Sequence, residues 1–335
     1  MAYTTINKSS EYFNTVLWTT DGTGNKALTT GHSTDMVWIK FRDYAYDHRI
    51  YDDVRGVTKK IITNKTDAES TQTDLVSFDA NGFTVGNNLN TSGEGGLVGW
   101  SWKANGAGVS NTDGSTTSTV SANQTSGFSV VKWVGVDTTV GHGLNAVPEM
   151  IIVKNLDDAS HWFVYHKSIG NGKFITLNEA DGEQTNSGAW NATSPTSSVF
   201  TVGSALNNAN YIAYVFAPKK GFSKFGSYTG NGSTDGTFIY TGFKPAFVIT
   251  KRTDAAGYNW SIWDNKRDSF NLVDLGLSPN TTQAEYSEDF GDFLSNGFKI
   301  RGTNTNKNEA GGTYIYMAFA EEPLVGTNNI PATAR

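Results

Sequence analysis

The residues best able to do chemistry in this 335-residue chain come in sets that recur. Asp52 and Arg55 stand three apart, Asp264 and Arg267 repeat the interval, and the matching middle stretch holds His166 and Ile169. A carboxylate and a guanidinium at that spacing most simply close a turn with an ion pair, worth under about 1 kcal/mol when exposed. A residue with catalytic work in one copy should stand beside partners that its sister copies lack, so recurrence argues for structure. His32 and His142 each follow a glycine and are of the type that serves as metal ligand or general base. The third copy has Gly242-Phe243 at that place, which points to packing. No HExxH, EF-hand spacing or Cys/His framework supports a metal site.

Ser223, in Gly221-Phe222-Ser223-Lys224-Phe225-Gly226, resembles a nucleophile elbow, but the second glycine is one place too far and no helical pattern follows. Its counterpart is Ser129, and both read as strand starts. The acidic pairs Asp52/Asp53, Asp157/Asp158 and Glu321/Glu322 raise glycoside hydrolysis, which needs two carboxylates flanking one bond. Neighbours in a strand point to opposite faces, so only carboxylates brought together from distant loops would serve. Glycine-rich turns such as Asp21-Gly22-Thr23-Gly24-Asn25 would cradle phosphate only ahead of a helix, and none follows. Trp190, in Ser187-Gly188-Ala189-Trp190-Asn191, has no counterpart in the other copies and is the one candidate for stacking on a glycan or another surface. The alternative is an aromatic that pins its own loop. No catalytic, cofactor-binding or metal residue is assigned.

The elements that must position these residues repeat as well. Apolar strands ending in a basic residue appear as Asp35-Met36-Val37-Trp38-Ile39-Lys40, Glu149-Met150-Ile151-Ile152-Val153-Lys154 and Ala246-Phe247-Val248-Ile249-Thr250-Lys251. Each is followed by a second strand: 48–52, 162–166 and 260–264. A third lies at 81–86, 198–203 and 296–301, and a closing strand at 96–104, 210–217 and 313–320. The two-residue alternation in the closing strands sends side chains to opposite sheet faces. A fixed order over roughly 100 residues is the signature of a repeated domain. The fold class expected is all-β, with three tandem β-sandwich or jelly-roll-like domains. Trp18, Trp133 and Tyr228 fall at matching strand positions and are expected in the core.

Composition agrees. The chain has 36 Gly, 7 Pro and 37% hydrophobic residues, a mixture that suits short strands and polar turns. With no cysteine, neither disulfides nor thiolate metal sites hold it together. A net charge of -6 argues against a general nucleic-acid binder. No apolar run approaches 18 residues and no signal-peptide core follows Met1, so neither membrane insertion nor export is expected. The expected boundaries are 1–104 for an N-terminal arm and first repeat, 105–126 for a polar linker, 127–217 and 218–323 for the second and third repeats, and 324–335 for a tail. The linker is rich in Asn, Gly, Ser and Thr and would let the first domain sit at its own angle. Pro218-Lys219-Lys220-Gly221 would hold the other two rigidly.

With the repeats laid out, the chain resembles a family of tail-fibre-like virion structural proteins of marine bacteriophages. The matching residues include Tyr12-Phe13-Asn14-Thr15-Val16-Leu17-Trp18, Tyr51-Asp52-Asp53-Val54-Arg55-Gly56, Gly99-Trp100-Ser101-Trp102-Lys103-Ala104, Gly141-His142-Gly143-Leu144 and Tyr314-Ile315-Tyr316-Met317-Ala318-Phe319-Ala320-Glu321. Leu97-Val98-Gly99 departs from the Tyr-Val-Ala of the family. The resemblance implies a virion location, after assembly in the host bacterial cytoplasm, and carries over no site residue. The expected function is non-enzymatic: a tail fibre or tail-associated appendage that adheres to the host surface through multivalent contacts. Its expected partners are other virion proteins of tail or capsid, further copies of itself in a homo-oligomer such as a trimer, and host-surface glycan. The alternatives are a capsid decoration or head-fibre protein and a depolymerase-like carbohydrate-active enzyme.

Overall fold

The computed structural model describes residues 3–326 and 331–333; the first two residues of the arm and the rest of the tail lie outside the described residues. The protein is all-β. The first part of the chain supplies β1 (Phe13–Thr19), β2 (Lys26–Thr29), β3 (Met36–Phe41), β4 (Arg49–Asp52), β5 (Lys59–Ile62), β6 (Ser70–Thr71), β7 (Leu75–Asp79), β8 (Gly82–Val85) and β9 (Gly96–Trp102). The middle supplies β10 (Val109–Asn111), β11 (Ser118–Asn123), β12 (Phe128–Val134), β13 (Thr138–Gly141), β14 (Met150–Asn155), β15 (Phe163–His166), β16 (Lys173–Thr176), β17 (Gln184–Thr185), β18 (Val199–Val202) and β19 (Asn210–Phe216). The last part supplies β20 (Ser223–Thr229), β21 (Phe238–Tyr240), β22 (Phe243–Arg252), β23 (Ser261–Asp264), β24 (Val273–Gly276), β25 (Tyr286–Leu294), β26 (Gly297–Ile300) and β27 (Thr313–Pro323).

Within each part the opening strand lies beside the closing strand, then the third, then the fourth: β1-β9-β3-β4, β12-β19-β14-β15 and β20-β27-β22-β23. A second sheet accompanies each: β2-β8-β7, β13-β18 and β21-β26-β25-β24. Register is kept too, since Phe13 faces Trp102, Phe128 faces Phe216 and Ser223 faces Phe319. Where one partner across a pair grows, the other shrinks. Val16 faces Gly99 and Val131 faces Ala213, whereas Gly226 faces Tyr316. A Cβ on Gly226 would stand 2.7 Å from the Tyr316 hydroxyl, so the large ring requires the glycine.

The third strand of each part is buried along its whole length, which requires cover on both faces. Val37, Ile39 and Phe41 pack with Leu28, Phe83 and Val85 of the accompanying sheet, and Ile151 and Val153 pack with Val140, Phe200 and Val202. The opposite faces, carrying Met36 and Trp38, Met150 and Ile152, and Phe247 and Ile249, join one core shared by all three parts. At its centre the matching residues Trp102, Phe216 and Phe319 form an edge-to-face triangle. Its centroids lie 6.4, 5.8 and 6.0 Å apart for the first and second, first and third, and second and third rings.

The segment 105–126 is not a free linker. β11 pairs with β12 and β10 pairs with β11, extending the main sheet of the middle part to eight strands. Val120 enters the core of that part and Ser118 Oγ donates to the Gly141 carbonyl, so a Ser/Thr-rich composition here reflects an edge of the sheet. The first part is held to the other two through the shared core.

Candidate functional site

The residues singled out for chemistry converge on the junctions between the three parts, and they do so cyclically. Asp52 ends β4, and its Oδ2 accepts from Arg55 Nε at 2.6 Å and from the Tyr214 hydroxyl of β19 at 2.7 Å. Arg55 also donates to the Ile50 and Lys59 carbonyls and to Glu69 Oε2. Asp264 ends β23, and its Oδ2 accepts from Arg267 Nε at 2.6 Å and from Trp100 Nε1 of β9 at 3.0 Å. Arg267 donates to the Ile262 carbonyl and to Glu285 Oε2. Both pairs have fully buried side chains, so they are interior ties rather than the exposed turn closures that spacing alone suggested.

The middle part completes the cycle differently. The place held by Trp100 in β9 and Tyr214 in β19 belongs in β27 to Met317, which offers no hydrogen bond; the three stand opposite Thr15, Val130 and Phe225, the third residue of each opening strand. His166 stands where the aspartates are, and its Nδ1 accepts from the Ser168 amide. That leaves Nε2–H to donate to the Tyr316 carbonyl at 3.3 Å. Burial pushes the ring down to about 4, so it is neutral near pH 7. Ile169 replaces the arginine and packs against the shared core.

A second cyclic set was visible in the sequence only as the basic residue ending each apolar strand. Lys40 Nζ donates to the carbonyls of Phe41, Tyr44 and, in the last part, Thr282. Lys154 Nζ donates to those of Asn155, Ser160 and, in the first part, Thr66. Lys251 Nζ donates to those of Arg252, Tyr258 and, in the middle part, Ala180. Burial pushes Lys40 and Lys154 down to about 8 and Lys251 to about 7. Three carbonyl acceptors nevertheless need three N–H donors, which only the ammonium supplies, so the charged form fits each cage. Backbone bonds follow the same rotation: Glu69 N to Leu156 O, Glu183 N to Thr253 O and Glu285 N to Arg42 O.

The other candidates are structural. His32 is buried, with Nδ1 2.8 Å from the Ser10 carbonyl and Nε2 3.2 Å from Ser101 Oγ; His142 Nε2 lies 3.2 Å from the Thr196 carbonyl; Phe243 is buried in the third position. Ser223 opens β20, and Ser129 is the second residue of β12. Trp18, Trp133 and Tyr228 are buried. Trp190 is 1% exposed, packs edge-to-face on Tyr165 and donates Nε1–H to the Lys173 carbonyl. It pins its loop to the core and presents no face to a glycan, which corrects the surface-contact expectation. Among the described residues no group of three His, Cys, Asp or Glu is placed to hold a metal, and no helix is long and apolar enough to cross a membrane.

Fold and junctions together define an all-β protein whose recurring charged residues tie its parts into one body. The family described as Domain of unknown function (DUF7483) matches residues 8–323, and the chain belongs to it. No curated protein matches the chain.

Proposed function

We propose that this chain is a structural protein of a phage virion, a tail fibre or tail-associated appendage that adheres to the host surface without turnover. In this reading it consists of three copies of one β-sandwich of roughly 100 residues, fused so that they surround a common axis. The observation that supports it most is where the recurring titratable side chains go. Asp52, Arg55, Asp264, Arg267, His166 and the three caged lysines are all buried ties between copies. Such a chain is built for a fixed shape, and shape with copy number is what multivalent adhesion uses. A body with internal threefold order also offers a trimeric neighbour three similar faces at once.

The test is to raise antibodies to the purified protein and image gold-labelled virions from a phage whose genome encodes this chain. Label along the tail is the expected result, label on the head would favour a capsid decoration, and unlabelled virions would refute the reading. Incubation with host envelope polysaccharide adds a second arm: released reducing ends would mark an enzyme.

A further inference from the structure

The three parts differ where the opening strand of the main sheet approaches the first strand of the accompanying sheet. In the middle part residues 115–123 occupy that place: β11 pairs with β12, the Thr139 amide donates to Ser115 Oγ at 2.9 Å, and Ser118 Oγ donates to the Gly141 carbonyl. In the last part the same place, between β20 and β21, is a groove of about 590 Å³. Residue pairing fixes the correspondence, since Leu28 faces Phe83, Val140 faces Phe200 and Ile239 faces Phe298. The residues flanking these are Ala27 and Thr29, Thr139 and Gly141, and Phe238 and Tyr240. Only in the last part are both aromatic, and there they are 44% and 47% exposed.

A strand seated as in the middle part does not fit this groove. A Cβ on Gly141 would stand 1.7 Å from Asn111 Oδ1 of β10, and the last part carries Tyr240 in that place. Phe238 and Tyr240 alternate with the buried Ile239, so both lie on the outer face of β21, about 7 Å apart along it. The groove is also locally basic in a chain of net charge -6. Among the described residues that line it are Lys167 and Lys224, and none is acidic. Glu149 balances Lys167 at 2.5 Å, whereas Lys224 meets no carboxylate among the described residues. Lys224 Nζ donates to the Tyr240 carbonyl at 2.6 Å in an exposed position, 5.2 Å from the Tyr240 ring centroid. Two of its three N–H groups remain for an anion.

We propose that the groove between β20 and β21 binds an acidic polysaccharide, with a pyranose stacked on Phe238 and a uronate carboxylate on Lys224. Exposed aromatic residues in a groove mark a binding surface, and a ring face offers apolar area to a sugar's C–H groups. The separation of about 7 Å between the Phe238 and Tyr240 positions spans the step from a stacked ring to the carboxylate it or its neighbour carries. A charge-assisted bond to the ammonium then fixes the sugar's sign of charge. On the opposite wall the exposed Ser227 and Thr229 present hydroxyls to those of the sugar. The inference rests on the adhesive reading for its biological setting but not for its chemistry.

The experiment uses the full chain and three probes, read by saturation-transfer NMR and titration calorimetry. These are a panel of uronate oligosaccharides (galacturonate, mannuronate and glucuronate types), their methyl esters, and oligoglutamate of equal charge. At least one uronate oligosaccharide is expected to bind the parent protein, its ester at least tenfold more weakly, and oligoglutamate not measurably. Lys224→Met and Phe238→Thr, the second installing the residue that the middle part carries as Thr139, are each expected to weaken binding tenfold or more. Phe238→Thr, at an exposed position, is expected to leave the melting temperature unchanged. The proposal is overturned if no uronate oligosaccharide binds, if the esters bind as tightly as the acids, or if both variants bind as the parent does. Oligoglutamate binding as tightly as the sugars would also overturn it, in favour of an acidic-peptide groove. Labelled virions with no saccharide binding would sink the groove alone, and saccharide binding with unlabelled virions would sink only the virion reading.

Discussion

The Asp52–Arg55 junction and the His166 junction occupy the same place in the fold and solve the same problem with different chemistry. In the first, the closing strand of the neighbouring part presents a hydroxyl, and a buried carboxylate receives it while an arginine neutralises the charge. In the second, the neighbour presents Met317, no acceptor for a side-chain donor is needed, and a neutral imidazole reaches the Tyr316 carbonyl instead. The facing residue, rather than the local turn, decides which chemistry stands at the end of the fourth strand. This explains why the middle part departs from the Asp/Arg pattern without loss of the junction: with no carboxylate to balance, an arginine would be an unpaired interior charge, and Ile169 packs there instead.

Breaking the charged junction should have the largest effect. Arg55→Met leaves Asp52 in the interior without its cation and is expected to cost about 4 kcal/mol in urea unfolding. A loss below about 1 kcal/mol would mean that the pair is solvated. Next comes Lys251→Met, which strands the carbonyls of Arg252, Tyr258 and Ala180 and is expected to cost about 3 kcal/mol. His166→Phe, at the uncharged junction, removes two neutral hydrogen bonds, from the Ser168 amide and to the Tyr316 carbonyl, and should cost only about 2 kcal/mol. If it cost as much as Arg55→Met, the contrast between the junctions would collapse.

The smallest effect at neutral pH is a change in acid sensitivity. Burial pushes His32 down to about 4 from its ordinary 6.5. Between those values the unfolded chain takes up a proton that the folded chain refuses, so stability present above pH 6.5 is lost as pH falls toward 4. The slope is about 1.4 kcal/mol per pH unit. His32→Phe, which installs the aromatic that the last part carries as Phe243, should flatten the dependence by that slope. An unchanged profile would show that His32 titrates alike in both states.

Much of this was legible in the sequence. The order of strands and the buried places of Trp18, Trp133 and Tyr228 follow from alternation repeated at matching distances. The shared core was harder to see, although Met36-Val37-Trp38-Ile39 and Met150-Ile151-Ile152-Val153 are apolar on consecutive residues. That pattern signals a strand covered on both faces rather than one side of an isolated sandwich. The interval between Asp52 and Arg55 was readable but their burial was not, because burial there depends on Tyr214, 159 residues beyond the arginine. Trp190 misleads for a related reason: a loop sequence does not reveal that Tyr165 and the Lys173 carbonyl wait beneath it. The Ser/Thr stretch at 118–123 reads as linker because it pairs at the edge of a sheet whose other strands carry the core.

The central claim is that the three parts are a single cooperative body, locked by the Trp102, Phe216 and Phe319 triangle and the cyclic ties around it. Differential scanning calorimetry of the intact chain tests it most directly. One transition is expected, with equal calorimetric and van't Hoff enthalpies, and Phe216→Ala should lower it as a whole. Separate transitions, with Phe216→Ala shifting only the one that belongs to residues 105–217, would contradict it.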